Sequence, residues 1–369
     1  MIIGLYEIVS FIGMVLLGLF AFFLVTLKKG NRLGNIIFAV FLFSKCLGII
    51  NHLIFHLQVN NPHVYFLLNP FGFLFGPALY FYVRSLTFRD FKFKKRDVIH
   101  LLPFVSVWIF FSWIFHFRST AVKLQILTSI VERIPFEEII MTTLLFVLVA
   151  FYVGAAILIL KGYRNNLKEI YSTLDEKNLL WLNMVVFGFA AIWMFDIAGF
   201  VMYLSGIPHL LLSSMTMALI FIFANFVVFT GLKQPEIFTG AEQKVKYLHS
   251  PLTQAEKEQY LKQLHSFMES ERPYLNPSLT ILNLSKKLSI SSRYLSQVIN
   301  ESLGVNFYDY VNQYRIEEAK RIMADTTQDY GNILDVLFDS GFNSKSAFNR
   351  VFKNLTGMTP SQCKQLHSH

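Results

Sequence analysis

The sequence predicts an all-α fold in two parts: a seven-transmembrane-helix N-terminal domain, then a soluble helical end containing two helix-turn-helix units. Three observations carry this. Before Lys233, seven apolar runs each reach the roughly 20 residues that a helix needs to cross a bilayer core. Hydrophobic residues make up 54% of the chain and charged ones 15%, against about 25% charged in soluble proteins. Beyond Lys233 a helix, turn, helix pattern occurs twice.

The runs lie at residues 3–27, 34–57, 64–83, 98–116, 138–160, 180–204 and 208–232. The first has no basic residues ahead of it and is followed by Lys28, Lys29 and Arg32, the pattern of an uncleaved span rather than a signal peptide. Loops after runs one, three and five hold 13 basic residues: Lys28, Lys29, Arg32, Arg84, Arg89, Lys92, Lys94, Lys95, Arg96, Lys161, Arg164, Lys168 and Lys177. The opposite loops hold Arg118, Lys123 and Arg133. Basic loops stay in the cytoplasm, so the N-terminus is expected outside, and an odd number of spans brings Lys233 out inside. Residues 120–135 mix apolar and charged positions, as an interfacial helix on the outer side does.

Charge follows the same division. Residues 1–232 carry 17 Lys/Arg and 10 Asp/Glu; residues 233–369 carry 16 and 14, so the halves contribute +7 and +2 to the net +9. The excess sits in the topology-setting loops and is not itself a nucleic-acid signature. Cys46 and Cys363 offer neither a disulfide framework nor metal-ligand spacing, and no metal site or cofactor is implied. An intramembrane Asp pair, a His-Glu zinc motif and a Gly-rich phosphate loop are all missing from the sequence, which argues against a membrane enzyme.

The linker 233–251 contains Pro235, Gly240 and Pro251. Leu252 to Glu271 then reads as an amphipathic helix, with Tyr260, Leu261, Leu264, Phe267 and Met268 on one stripe. It either docks on its own domain or serves as a dimerisation or signalling helix. Leu279, Ile281, Leu282, Leu284 and Leu288 give an apolar helix face, Ser289-Ile290 a turn, and Ser291 an N-cap for a helix from Ser292 to Ser302 that Gly304 stops. A connecting helix from Phe307 to Met323 follows. The pattern then repeats with Ile333 to Asp339, a turn at Ser340-Gly341-Phe342, and a helix from Asn343 or Ser344 to Leu355 stopped by Gly357.

The strings Ile290-Ser291-Ser292-Arg293-Tyr294-Leu295-Ser296, Tyr314-Arg315-Ile316-Glu317-Glu318-Ala319-Lys320 and Gly341-Phe342-Asn343-Ser344-Lys345-Ser346-Ala347-Phe348-Asn349-Arg350-Val351-Phe352-Lys353, with Gly357-Met358-Thr359-Pro360-Ser361, resemble the AraC-type (AraC/XylS family) DNA-binding domain. More weakly, Phe75-Gly76-Pro77-Ala78-Leu79-Tyr80 and His100-Leu101-Leu102-Pro103-Phe104 are similar to seven-span sensor regions on some bacterial members of that family. The organisation this implies is a membrane sensor domain at 1–232, a linker and signalling helix at 233–275, and the DNA-binding domain at 276–369.

The resemblance places the second helix of each unit in the major groove. Arg293 and Gln297 on the first, and Lys345, Ser346, Asn349 and Arg350 on the second, are the candidate base readers; Arg suits guanine and Gln or Asn suits adenine. Ser291, Arg315, Ser344 and Lys353 are the candidate phosphate contacts. Leu337 stands where the family has a small residue, which predicts a wider helix crossing, and Cys363 where an aromatic is common, most simply a structural thiol.

In the membrane half the sensor candidates are Lys45, Asp196, His52, His56 and His209. Lys45 and Asp196 lie roughly 16 and 24 Å deep, at about 1.5 Å per residue, close enough for an ion pair. His52 and His56 share a helix face, with three readings open: headgroup contact, metal or haem binding, or a small-ligand pocket. The implied protein is a membrane-bound one-component transcription regulator of the bacterial inner membrane. Its expected partners are double-stranded DNA, the lipid bilayer, RNA polymerase, a second copy when DNA-bound, and a small-molecule or membrane signal. The alternatives are release of the regulator by linker proteolysis, and a transporter or scaffold with a vestigial DNA-binding domain.

Overall fold

Long runs of Leu, Ile, Phe and Ala with no internal Pro favour the α-helix, which satisfies every backbone group within its own segment. The computed structural model describes residues 5–27, 31–54, 57, 61–88, 91–132, 136–174, 180–207, 210–233, 252–325 and 332–367. Every regular element among them is helical, apart from one isolated antiparallel bridge between Tyr171 and Thr280. The chain divides into two units, Met1–Lys161 with Leu179–Gln243, and Gly162–Asn178 with Lys244–His369. The linker expected at 233–251 lies, but for Lys233, outside the described residues.

The first unit contains α1 (Leu5–Thr26), α2 (Arg32–Leu53), α3 (Phe75–Thr87), α4 (Leu102–Phe111), α5 (Thr120–Glu132), α6 (Phe136–Lys168, to Lys161 in this unit), α7 (Leu180–Leu204) and α8 (Leu210–Lys233). Six helical stretches among the described residues have the length and apolarity to cross a membrane. One is composite: α4 continues from a 3₁₀ turn at Lys95–Leu101 into a π turn at Ser112–His116. The third expected span is not a single α-helix. Asn69–Leu74 forms a 3₁₀ turn and only the 13 residues of α3 are α-helical. Pro70 stands in the first turn of that 3₁₀ segment, where its missing N–H is tolerated, and so marks a helix start rather than the middle of a continuous span.

This unit is apolar on its outer face as well as in its core, and a few polar residues are buried between its helices. Asn35, Ser44, Ser85, Thr87 and Thr216 are buried, while Phe22 (70% exposed) and Phe151 (67%) face outward. The hydroxyls are satisfied by their own helices, Ser44 Oγ donating to the Val40 carbonyl at 2.8 Å and Thr87 Oγ1 to that of Val83 at 2.9 Å. Aromatic rings fill the middle: Phe38 stacks on Tyr82 at 4.3 Å and Phe41 meets Phe189 edge-on at 5.0 Å. Gly76 permits the close approach of α3 and α6, since a Cβ there would lie 2.6 Å from Tyr152 Cδ2.

In the second unit α9 (Gln254–Ser270) starts at a capping box, in which Thr253 Oγ1 accepts the Glu256 N–H and Glu256 accepts the Thr253 N–H at 2.8 Å. Its Leu264 and Met268 are fully buried against Leu284, Leu295 and Phe307, so the stripe is used on its own domain. The helices α10 (Ile281–Leu288) and α11 (Ser292–Leu303), then α12 (Phe307–Ala324), then α13 (Ile333–Asp339), α14 (Lys345–Thr356) and α15 (Pro360–His367) follow. The spine is α12: Phe307 and Val311 enter the first hydrophobic cluster, while Ile316, Ala319 and Ile322 enter the second with Val336, Phe348 and Phe352. Leu337 is buried in that second cluster and the turn closes around it, its carbonyl accepting the Phe342 N–H at 3.0 Å. Cys363 is buried there too, and burial pushes its thiol above the ordinary range.

Gly341 has φ +87°, and a Cβ would overlap the Tyr274 carbonyl oxygen and meet Leu275 Cα at 2.8 Å. Gly304, at φ +70°, has open space around it. Gly304→Ala therefore carries only the left-handed penalty of about 1–2 kcal/mol, whereas Gly341→Ala adds a backbone overlap and is expected to lose clearly more. Denaturant midpoints of the purified full chain decide this; equal losses at the two positions would exclude the overlap.

Candidate nucleic-acid interface

The two turn-and-helix units are positioned by local chemistry. Ser291 caps α11, its side chain accepting the Tyr294 N–H at 3.2 Å, and Ser344 caps α14 by accepting the Ala347 N–H at 3.4 Å. Gly304 and Gly357, at φ +70° and +78°, take the left-handed caps that end them. On α11, Leu295, Val298 and Ile299 are buried, while Arg293 and Gln297 are half-buried. Arg293 Nη2 has no hydrogen-bond partner among the described residues. Gln297 donates to Glu301 at 3.3 Å, and Glu301 also receives Lys257 at 2.6 Å.

On α14 the division is sharper. Ala347, Phe348, Val351 and Phe352 are buried, and Lys345, Ser346, Asn349, Arg350 and Lys353 are exposed. Five polar side chains, three of them cationic, thus occupy the face opposite the core. A groove of about 520 Å³ runs beside them, lined in part by Asn332, Lys345, Asn349 and Lys364.

Arg315 corrects the sequence-based expectation of a phosphate contact. It is 0% exposed. Its Nε donates to the Tyr274 carbonyl at 2.7 Å; Nη1 to the Ser172 carbonyl at 3.0 Å, Thr173 Oγ1 at 3.2 Å and Asn312 Oδ1 at 3.3 Å; and Nη2 to Ser172 Oγ at 3.0 Å and the Asn276 carbonyl at 2.9 Å. Burial pushes its pKa down to about 10, so it stays protonated at neutral pH. A guanidinium with all its donors engaged in the interior has nothing left for phosphate.

The residues that hold Arg315 include a segment the sequence did not mark. Residues 162–174, the last turns of α6 and the loop after it, belong to this unit. Ser172 N–H donates to the Leu279 carbonyl at 3.2 Å, Ile281 N–H to that of Ile170 at 3.0 Å, and Thr173 Oγ1 to that of Pro277 at 2.8 Å. Leu167 and Leu174 are buried in the second cluster. The one signal was the short β-like string Ile170-Tyr171-Ser172-Thr173 inside a basic loop.

Within the first unit, Lys45 Nζ and Asp196 Oδ2 lie 4.0 Å apart, and Lys45 sits over the rings of Phe75, Phe189 and Trp193 at 4.8, 5.4 and 5.5 Å. Asp196 and His52 line a cavity of about 260 Å³ with Tyr203, Ser213 and Thr216. His56 and His209 lie outside the described residues. No group of three or more His, Cys, Asp or Glu among the described residues is arranged to hold a metal ion.

Comparison with known proteins places residues 284–365 in a helix-turn-helix domain family. A Staphylococcus aureus HTH-type transcriptional regulator is 37% identical over 89 residues, which are 24% of this chain and 12% of the relative. The Bacillus subtilis HTH-type transcriptional regulator YtdP is 30% identical over 102 residues, 28% of this chain and 12% of its own length. A solved structure of a protein of unknown function from Listeria innocua overlaps 32% of this chain and 99% of itself, at 26% identity and a TM-score of 0.25. Residues 284–365 thus match a helix-turn-helix domain, and the relatives that share this segment are named HTH-type transcriptional regulators, of whose length it spans 12%.

The segment that receives Arg315 is itself anchored by charge. Glu318, buried on α12, accepts Arg321 at 2.7 Å and Arg272 at 3.1 Å. The Arg321 hydrogen bond, with Arg272 behind it, holds the Glu318 carboxyl below the usual carboxylate range. A depressed folded pKa contributes stability that is present above the unfolded value, about 4.3, and is lost as pH falls through the folded one. Wild type is therefore expected to exceed Glu318→Gln in denaturant midpoint at pH 7 and to converge on it in acid. A gap that stays constant down to pH 3 would mean that the carboxylate charge contributes nothing.

Proposed function

We propose that this chain is a membrane-bound one-component regulator that reads DNA through α11 and α14 and takes its input in the apolar helices. The observation that carries the reading is α14, where Lys345, Ser346, Asn349, Arg350 and Lys353 are presented on a helix whose other face is locked in the core. Arg293 and Gln297 on α11 complete the base-reading set. Ser291 and Ser344, at helix N-termini, and Lys353 take phosphate.

The membrane reading is supported by the large apolar side chains exposed on the first unit's membrane-length helices and by the 13-to-3 bias of basic loop residues. The seventh span is the composite third element: six 3₁₀ residues and 13 α-helical ones reach about 30 Å, the thickness of a hydrocarbon core. With seven crossings the N-terminus is outside and the DNA-binding unit cytoplasmic. A pair of such domains from two copies raises effective concentration at an operator, where RNA polymerase is the downstream partner.

Full-length protein in nanodiscs, used to select a duplex from a random-sequence pool, tests the output. Arg293→Ala and Arg350→Ala should each weaken the selected duplex by about 5- to 150-fold, the worth of a bidentate base contact. Lys353→Ala should weaken all duplexes alike and reduce the salt slope by about one. Binding that ignores all three variants would exclude the reading.

For the input, we assign the Lys45–Asp196 pair and the cavity beside it as the sensor. Paired charges among buried aromatic rings are expensive in a bilayer and persist where they do something. Lys45→Met/Asp196→Leu is expected to shift basal transcription of a reporter driven by the selected site. Unchanged output at wild-type protein levels would remove this role.

A further inference from the structure

We propose that Glu169–Leu174, between α6 and α7, is a docking segment for the DNA-binding unit of the same chain, and that docking places a carboxylate on the reading stripe of α11 so that loop and duplex compete. The competition rests on the DNA-binding reading above; the docking does not.

The receptor is a built site. Its edge is the backbone of Pro277–Ile281, which pairs with Ile170–Thr173 through the Ser172–Leu279 and Ile281–Ile170 hydrogen bonds and the Tyr171–Thr280 bridge. Its floor is Arg315, three of whose hydrogen bonds end on Ser172 and Thr173. Asn312 Nδ2 adds a fourth contact to the Ser172 carbonyl at 3.4 Å. Apolar anchors flank this polar seam, Leu167 and Leu174 both being buried with Ile316 and Phe348. Without the segment, a buried guanidinium would keep its charge and lose half of its acceptors. The domain therefore binds the loop at a site shaped for backbone carbonyls and hydroxyls.

Docking also fixes two charged residues ahead of the seam. Lys168 Nζ lies 3.5 Å from Asp309 Oδ2. Glu169 Oε2 accepts Asn300 Nδ2 at 2.8 Å and Ser296 Oγ at 3.2 Å. Arg293, Gln297 and Asn300 stand at i, i+4 and i+7, one stripe of α11. The carboxylate thus sits at the end of the stripe that would face DNA, within the roughly 10 Å over which charges act at 0.1 M salt. Two anions, the loop carboxylate and a phosphate, disfavour each other there.

The test uses the full chain in nanodiscs and the duplex it selects. Zero-length carbodiimide coupling of Lys168 to Asp309, read by mass spectrometry, reports docking without a substitution. Mixing isotopically light and heavy chains shows which copy supplies the loop. The expected result is a same-chain cross-link without DNA that falls by more than fivefold at saturating duplex. Ser172→Pro removes an N–H donor and the hydroxyl from the loop alone. It should abolish the cross-link and tighten duplex binding, and Glu169→Gln should tighten it by about fivefold. A domain merely damaged by these changes would bind more weakly, the opposite sign. A missing cross-link in the DNA-free chain, or one between light and heavy chains, overturns same-chain docking. A cross-link undiminished at saturating duplex, with affinity unmoved in both variants, overturns competition while leaving DNA binding intact. Failure to select any duplex rejects the DNA-binding reading and competition with it, and the cross-link still judges docking.

Discussion

A single buried cation organises the second unit. Arg315 carries its charge into an interior where the partners of its guanidinium are neutral: carbonyls of Tyr274, Asn276 and Ser172, the hydroxyls of Ser172 and Thr173, and the Asn312 amide oxygen. Such a group is tolerable only when its donors are met together, because a half-satisfied charge in low dielectric is worse than an apolar side chain. Its planar fork reaches three separate stretches of chain at once, which the single ammonium of a lysine would not. The segment at 274–276, the loop at 172–173 and α12 are therefore fixed relative to one another by one side chain. The Tyr274 carbonyl that accepts Arg315 Nε is also the atom against which Gly341 closes, so the same constraint reaches the turn of the second helix pair.

Because α12 feeds both hydrophobic clusters, α11 and α14 are held by one rigid spine rather than by a flexible connection. On the proposed DNA-binding reading, two helices meet successive major-groove segments only if their separation is set in advance, which is what a continuous 18-residue helix between them provides. The first unit solves a different problem. It keeps large apolar side chains on its outer face as well as in its core, buries a few hydroxylated residues between the helices, and lets those hydroxyls bond their own backbone.

Legibility in the sequence followed the range of the physics. Caps and stops are local, so Ser291, Gly304, Ser344 and Gly357 announced the ends of α11 and α14, and the structure places each at the cap. The 3.6-residue stripe located α9 for the same reason. Arg315 was misread because residue type was given more weight than periodicity: Val311, Arg315, Ala319 and Ile322 stand at i, i+4, i+8 and i+11, a buried stripe with an arginine in it. The third span was counted from hydropathy, which ignores what Pro70 does to the backbone. The docked loop was hidden because its contacts span more than 100 residues, and no local pattern encodes a partner so far along the chain.

On the proposed reading, the loop supplies a route from input to output that needs no new element. It follows α6 and precedes α7 in the chain, two of the apolar membrane-length helices, and on the proposed reading a change in those helices reaches the docked segment through the chain itself. By linkage, a signal can shift the docked fraction only by its differential free energy for the two arrangements of those helices. Moving the loop from 99% docked to 99% free would require about 5.5 kcal/mol, whereas a tenfold change in competent domain requires about 1.4. The smaller figure is the strength of one partly buried charge pair or a few hydrogen bonds, and the Glu169 and Lys168 contacts are of that kind. A graded rheostat therefore fits these contacts better than an all-or-none switch, with the Arg315 seam setting the resting point and the charged residues ahead of it setting how readily DNA displaces the loop.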